Sequence, residues 1–410
     1  MITPPRPYLP RALEDVLRAR LASFPVVVVT GARQTGKSTL ARRIGPDRTY
    51  LTLDDLDVLD QAHNAPDALL RRGARLTLDE VQRAPDLLLA IKRAVDAERV
   101  PGRFLLTGSA NLHLMASISE TLAGRAIYVD LWPMTRGEVL GEGSVGRWDV
   151  FLDQAPDTWA GAFEAGPRKP DVEWTTLALR GGYPDPATTL EGEGDRGAWF
   201  EGYLRTYLER DLQQLASIDN LVGFQRLIRA TALRVGNLMN QADLARDVGI
   251  PPTTAQRYLH LLEVSYQLLK VEAYSVNRTK RLVKGPKLYW SDTAFALHLS
   301  SERAPRGAHL ENLIVSELFA WRETRTHRPN ILFWRTSKGA EVDLVVETPT
   351  SLLPMEIKAA TTVRTQDARH LSTFLDEYPD KTEAGVILYA GREAYWLTDR
   401  VFAVPWNSVI

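Results

Sequence analysis

Along the first 140 residues, short apolar runs alternate with stretches of helical periodicity. Residues 24–30 form a β-branched run, and within it 26–29 read as a buried strand. Residues 49–53, 75–78, 104–107 and 127–131 read as further strands, with helical patterns such as 85–96 between them. Such alternation predicts a parallel sheet layered with helices. Residues 141–171 are rich in Gly, Pro and acidic side chains and read as a long loop or insertion. Residues 174–271 carry mainly helical periodicity; after Glu272 the pattern becomes helix, strand, strand and helix, with short strands near 385–389 and 394–397. No internal repeat is visible. The expected organisation is an α/β domain at 1–140, the insertion at 141–171, a helical domain at 172–275 and a second α/β domain at 276–410.

Composition changes this picture little. The chain has 410 residues, 44% of them hydrophobic and 25% charged, which is ordinary for a globular protein. The absence of cysteine excludes disulfides and cysteine-based zinc sites, and suits a reducing cytoplasm. Fifty basic residues offset fifty-one acidic ones, so a nucleic-acid surface must come from local segregation of charge. No apolar run approaches the roughly 20 residues that cross a bilayer, and residues 1–11 are proline-rich without a signal-type apolar run. A soluble cytoplasmic protein, away from membranes, is expected. The seven histidines show no metal-ligand spacing, and no Ser-His-Asp arrangement is evident.

The strongest chemistry is Gly31-Ala-Arg-Gln-Thr-Gly-Lys-Ser38, which follows a strand and opens a helix. This is the complete GxxxxGK[ST] phosphate loop in its required setting. Its glycines let backbone N–H groups approach phosphates, and the helix N-terminus favours their charge. Lys37 is placed to reach the β- and γ-phosphates, and Ser38 to hold magnesium. Gly31, Arg33, Gln34, Thr35, Gly36, Lys37, Ser38 and Thr39 are the candidate nucleotide contacts. The strand ending in Asp79-Glu80 fits Walker B chemistry, with Asp79 orienting Mg2+ and Glu80 activating water. Thr107, Ser109 or Asn111 suits a γ-phosphate sensor or, equally, a turn or helix cap. Arg125 suits an arginine finger, in cis or across a subunit interface, or an ordinary surface arginine.

Together these motifs, with Leu-Asp-Glu-Val-Gln82 and Leu-Ala-Gly-Arg125, resemble a prokaryotic family of AAA-type ATPases with an AAA_14-type P-loop domain and a C-terminal DUF4143 region. Arg180-Gly-Gly-Tyr-Pro184, the segment from Tyr203 to Asp211, Lys284-Gly-Pro-Lys-Leu-Tyr289 and Glu311-Asn-Leu match the downstream part of that pattern. The resemblance implies ATP, Mg2+ and a homo-oligomer, such as a hexameric ring, and leaves the substrate open.

Residues 240–262 read as two helices around a tight turn at Gly249. Leu244, Ala245 and Val248 face inward from the first, and Tyr258, Leu259 and Leu262 from the second. Thr254, Gln256, Arg257 and His260 are left on the outer face, where a winged-helix unit contacts the DNA major groove. A lid on the ATPase is the alternative use of such a unit. Arg278, Lys280, Arg281, Lys284 and Lys287 form a basic stretch that suits a wing or phosphate grip, or a solvated edge strand.

The C-terminal region places Glu311 on a helix, Asp343 on a strand and Glu356-Ile-Lys358 on another. This order resembles the PD-(D/E)xK, restriction-endonuclease-like superfamily. In a strand, residues two apart share a face, so Glu356 and Lys358 point the same way. Glu311, Asp343 and Glu356 are the candidate Mg2+ ligands, and Lys358 the candidate stabiliser of a phosphoryl transition state. Trp334 and Arg335 suit nucleic-acid contact or, for the Trp, burial. Two functional readings follow. One is an ATP-dependent DNA-processing enzyme that binds duplex or branched DNA, such as Holliday junctions or forks, and cleaves it. The other is a nucleotide-dependent switch that binds a protein partner, as a toxin–antitoxin or defence regulator would, with an inactive nuclease-like domain as platform.

Overall fold

The computed structural model describes residues 8–108, 122–165, 172–206, 218, 220–277 and 285–410. The N-terminal domain contains β1 (Val26–Thr30), β2 (Thr49–Thr52), β3 (Leu76–Asp79), β4 (Phe104–Thr107) and β5 (Ala126–Asp130). They form one parallel sheet in the order β2-β3-β4-β1-β5. Strand β1 is Val-Val-Val-Val-Thr and is buried along its length, as a strand covered on both faces must be. Val26 and Val28 pack with Leu87, Leu88 and Ile91 on one face, and Val27 and Val29 with Leu13, Leu17 and Leu40 on the other. Because all five strands run the same way, the ends of β1 and β3 open onto the same edge, and the phosphate loop lies there.

Residues 141–165 are not a structureless insertion. Helices Asp149–Asp153 and Trp159–Ala165 occur here, and Trp148, Phe151, Trp159 and Phe163 are buried. Trp159 stacks on Trp396 and meets Phe402 edge-on. The Gly- and Pro-rich composition concealed a segment whose few aromatic anchors fasten it to the far end of the chain.

The middle region is helical. Asn220 caps the helix Leu221–Ala232 and Asn240 the helix Gln241–Val248. Gly249, with φ of +72°, ends the latter in the left-handed conformation, and Pro252 opens the helix Pro252–Val264. Leu244, Ala245, Val248, Tyr258, Leu259 and Leu262 are buried, as their spacing predicts.

The remaining strands are β6 (Leu268–Ala273), β7 (Lys287–Trp290), β8 (Asn330–Arg335), β9 (Glu341–Glu347), β10 (Leu352–Lys358), β11 (Gly385–Tyr389), β12 (Tyr395–Thr398) and β13 (Val401–Pro405). Among the described residues they make one mixed sheet, ordered β12-β13-β11-β10-β9-β8-β6-β7. Strand β6 pairs with β7 through residues 268–271 and with β8 through Glu272 and Ala273. A division at 275/276 therefore falls inside one sheet, because β6 serves both neighbours in turn. Among the described residues no helix is long and apolar enough to cross a membrane.

Candidate functional site

The phosphate loop adopts a conformation that its glycines permit. Gly31 has φ of +149°, and a Cβ there would lie 2.3 Å from the Leu131 carbonyl oxygen. Gln34 and Gly36 also have positive φ. Thr35 is buried and its hydroxyl donates to the Ala32 carbonyl at 2.9 Å. The Lys37 ammonium is folded into the loop, donating to the carbonyls of Gly31 at 3.1 Å and Ala32 at 2.6 Å. Arg33 is half-buried, and Gln34 and Thr39 are exposed. From the N-terminal segment, Arg11 donates to the Thr35 carbonyl at 2.7 Å and to the Trp132 carbonyl at 2.7 Å, and pairs with Glu138 at 3.1 Å.

Asp79, at the end of β3, gathers the neighbouring hydroxyls. Ser38 donates to its Oδ1 at 2.9 Å and Tyr50 to its Oδ2 at 2.6 Å, while Thr107 also donates to Oδ1. Burial and the bond to Asp79 raise the Tyr50 phenol to about 12. Glu80 sits in the left-handed region at φ of +59°, and its carboxylate accepts from Gln82. The structure thus brings Gly31, Lys37, Ser38, Asp79, Glu80 and Thr107 to one edge. Ser109 and Asn111 lie outside the described residues, as does Lys284.

Arg125 is elsewhere. It precedes β5, whose Ala126 pairs with Val26 and whose Asp130 pairs with Thr30. The side chain therefore starts at the opposite end of the sheet, some 15 Å along the strand at about 3.3 Å per residue, and it is held by Asp96 at 2.6 and 2.9 Å. An arginine finger acting in cis is thereby corrected: parallel strands put the two ends of β5 at opposite edges.

A contact that local patterns did not reveal lies beside the loop. Tyr266, between the helix Pro252–Val264 and β6, places its hydroxyl 2.6 Å from Asp130 Oδ1 and 2.9 Å from Thr30 Oγ1. The Thr30 hydroxyl itself donates to Asp130 at 2.7 Å. Burial, then the nearby Asp130 carboxylate, raises the Tyr266 phenol well above its ordinary range. Thr30 immediately precedes Gly31, so one tyrosine joins the nucleotide edge to the middle and C-terminal regions.

On the helix Pro252–Val264, Gln256, Arg257 and His260 are exposed and Thr254 is half-buried. Met239, Leu268, Lys270 and Pro286 line the groove beside them.

In the C-terminal sheet, Glu311, Asp343, Glu356 and Lys358 converge from the helix Gly307–Thr324, β9 and β10. Asp343 Oδ2 accepts from the Ile357 N–H at 2.9 Å, and Lys358 donates to Glu356 at 3.0 Å. Burial and Asp343 push Glu356 up to about 9, against the pull of Lys358. Burial and Asp343 push Glu311 up to about 7, against Lys287 and Tyr289. Lys287 is not part of a solvated basic stretch: it is buried, with its ammonium 2.7 Å from Glu341, 3.2 Å from Glu311 and 3.8 Å from Asp343. Burial lowers its pKa, but these carboxylates outweigh it and the net shift is upward. Trp334 is buried edge-on against Phe374, which leaves no ring face for a base, whereas Arg335 is exposed.

Residues 23–140 match the AAA domain family, and residues 172–306 and 306–409 match two domains of unknown function, DUF8612 and DUF4143. An uncharacterized protein of Mycobacterium tuberculosis is 33% identical over 406 residues, spanning 96% of this chain and 83% of that protein. An uncharacterized protein of Mycobacterium bovis matches to the same extent. Among solved structures, the Walker-type ATPase of Pyrococcus abyssi is 16% identical with a TM-score of 0.43, over 73% of this chain and 99% of that one. A DNA replication initiation factor is 15% identical with a TM-score of 0.28, over 54% and 67%. At such scores these two likenesses carry no functional weight.

Proposed function

The chain belongs to the family of AAA-domain proteins that includes the two mycobacterial relatives, and from that premise we propose that it is a magnesium-dependent ATPase whose nucleotide state is coupled to DNA binding. The observation that carries the ATPase reading is the joining of Ser38, Tyr50 and Thr107 on Asp79, beside a phosphate loop that only glycine at position 31 allows. Lys37, now bonded to loop carbonyls, is the cation that would turn to the β- and γ-phosphates. Ser38 and Asp79 would hold Mg2+, which supplies charge neutralisation when bound. Glu80 would accept the proton of the attacking water once released from Gln82.

The DNA reading rests on the exposed Gln256, Arg257 and His260 and on the path from their helix through Tyr266 to Thr30. Duplex or branched DNA is the expected partner class. For Arg125 to serve as a finger, a second subunit would have to present it, in a homo-oligomer such as a hexameric ring. The second reading, a switch that docks a protein partner, is favoured by one observation: the Lys287 ammonium among the C-terminal carboxylates. Steady-state ATP hydrolysis with Mg2+, alone and with single-stranded, duplex, forked and four-way-junction DNA, tests the pair, with Lys37→Ala as blank. Stimulation by a DNA form supports the first reading; hydrolysis that no DNA form alters supports the second.

A further inference from the structure

The C-terminal carboxylates resemble a divalent-metal nuclease site in order and placement, yet they do not fit one. Every carboxylate of the group already has a donor. Glu311 takes the Lys287 ammonium at 3.2 Å and the Tyr289 hydroxyl. Glu341 takes the same ammonium at 2.7 Å and lies 3.6 Å from Arg335. Asp343 takes the Ile357 N–H at 2.9 Å and lies 3.8 Å from Lys287. Glu356 takes Lys358 at 3.0 Å. Among the described residues no group of three or more acidic or imidazole side chains is arranged to hold a metal ion.

Lys287, on β7, is only 3% exposed, and its ammonium lies over the Phe333 ring, 5.6 Å from the centroid. That strand is fixed on both sides, by Val271 on β6 and by a bridge to Leu238. Carboxylates crowded together in a half-buried cluster need a cation, and a cation placed by covalent attachment meets that need permanently. A divalent ion at the same oxygens would meet a fixed positive charge at contact distance and would have to strip these donors first. Mg2+ in particular needs near-octahedral oxygen ligands and gives up water reluctantly.

We propose that Lys287 is the built-in cation of this cluster, and that the C-terminal domain therefore takes no divalent metal and works as a metal-free platform. This inference is independent of the ATPase reading, because it concerns residues on β7, β9, β10 and one helix only. It is tested on the full chain without nucleotide, by titrating Mn2+ and counting bound ions by electron paramagnetic resonance. Any ion at the phosphate loop cancels when each protein is compared with its own Asp343→Asn counterpart. The wild type and Asp343→Asn should bind Mn2+ alike. Lys287→Met should gain an additional, Asp343-dependent ion that the wild type lacks, and the gain should vanish in Lys287→Met/Asp343→Asn. Lys287→Arg, which keeps the charge, should show no gain. Asp343-dependent Mn2+ binding by the wild type overturns the proposal, and needs no variant of Lys287 to fold. So does a folded Lys287→Met, verified by circular dichroism, that gains nothing.

Discussion

Tyr266→Phe removes one oxygen atom from the junction between the nucleotide edge and the rest of the chain. The phenol and the Thr30 hydroxyl each have one proton, and both lie within 2.7 Å of Asp130 Oδ1, so both donate to the carboxylate. The ring stays in place, because its edge contact with Trp132, at 5.3 Å between centroids, does not need the hydroxyl. A buried hydrogen bond to a charged group contributes roughly 1.5–3 kcal/mol, which sets the expected loss of stability at about 2 kcal/mol. If that bond also holds Thr30, and through it Gly31, the same free energy limits the effect on nucleotide affinity to about 30-fold, since about 1.4 kcal/mol is tenfold. The assay is paired: urea unfolding followed by tryptophan fluorescence, and equilibrium binding of a fluorescent ATP analogue with Mg2+. A lowered urea midpoint with weakened nucleotide binding is expected. A lowered midpoint with unchanged affinity would confine the tyrosine to packing, and an unchanged midpoint would refute the argument altogether.

Other outcomes follow from the same geometry. Lys37→Ala should abolish nucleotide binding or hydrolysis, whereas Glu80→Gln should retain binding and slow turnover by about 100-fold or more, as loss of a general base does; normal turnover in either would displace the assignment. Gly31→Ala should prevent ATP binding while the protein stays folded, because the new methyl group would collide with the Leu131 carbonyl oxygen; calorimetric titration checks it. Glu323, buried beside Asp130, is raised from 4.5 to about 7 by burial and by that carboxylate, with Arg328 and Arg322 opposing. The folded state therefore keeps a proton that the unfolded chain has lost between those values, so stability falls as pH rises through this window. The upper limit is about 3 kcal/mol at about 1.4 kcal/mol per unit. Glu323→Gln should flatten that dependence in urea titrations between pH 5 and pH 8; an unchanged slope would assign it to other groups. Trp159→Ala should cost about 3–5 kcal/mol by undocking 149–165 from Trp396 and Phe402, read as early proteolysis of that segment.

What the sequence determined by itself is local and periodic. The five strands of the first sheet, the phosphate loop, Asp79-Glu80 and the shared face of Glu356 and Lys358 were all legible, since each depends on spacing within a few residues. The turn at Gly249 belongs to the same class. Only the tertiary structure decided which of these elements meet. Tyr266 reaches Thr30 across 236 positions, and Trp159 finds Trp396 through a segment whose composition reads as loop. Arg125 follows a motif that looks catalytic, yet parallel pairing carries it to the far edge of the sheet. Lys287 looked like one more solvated cation in a basic run until β7 turned it inward upon Glu311, Glu341 and Asp343. Backbone hydrogen bonding and side-chain alternation are encoded by near neighbours. Burial of a charge depends on what the rest of the chain brings to it, and no local pattern records that.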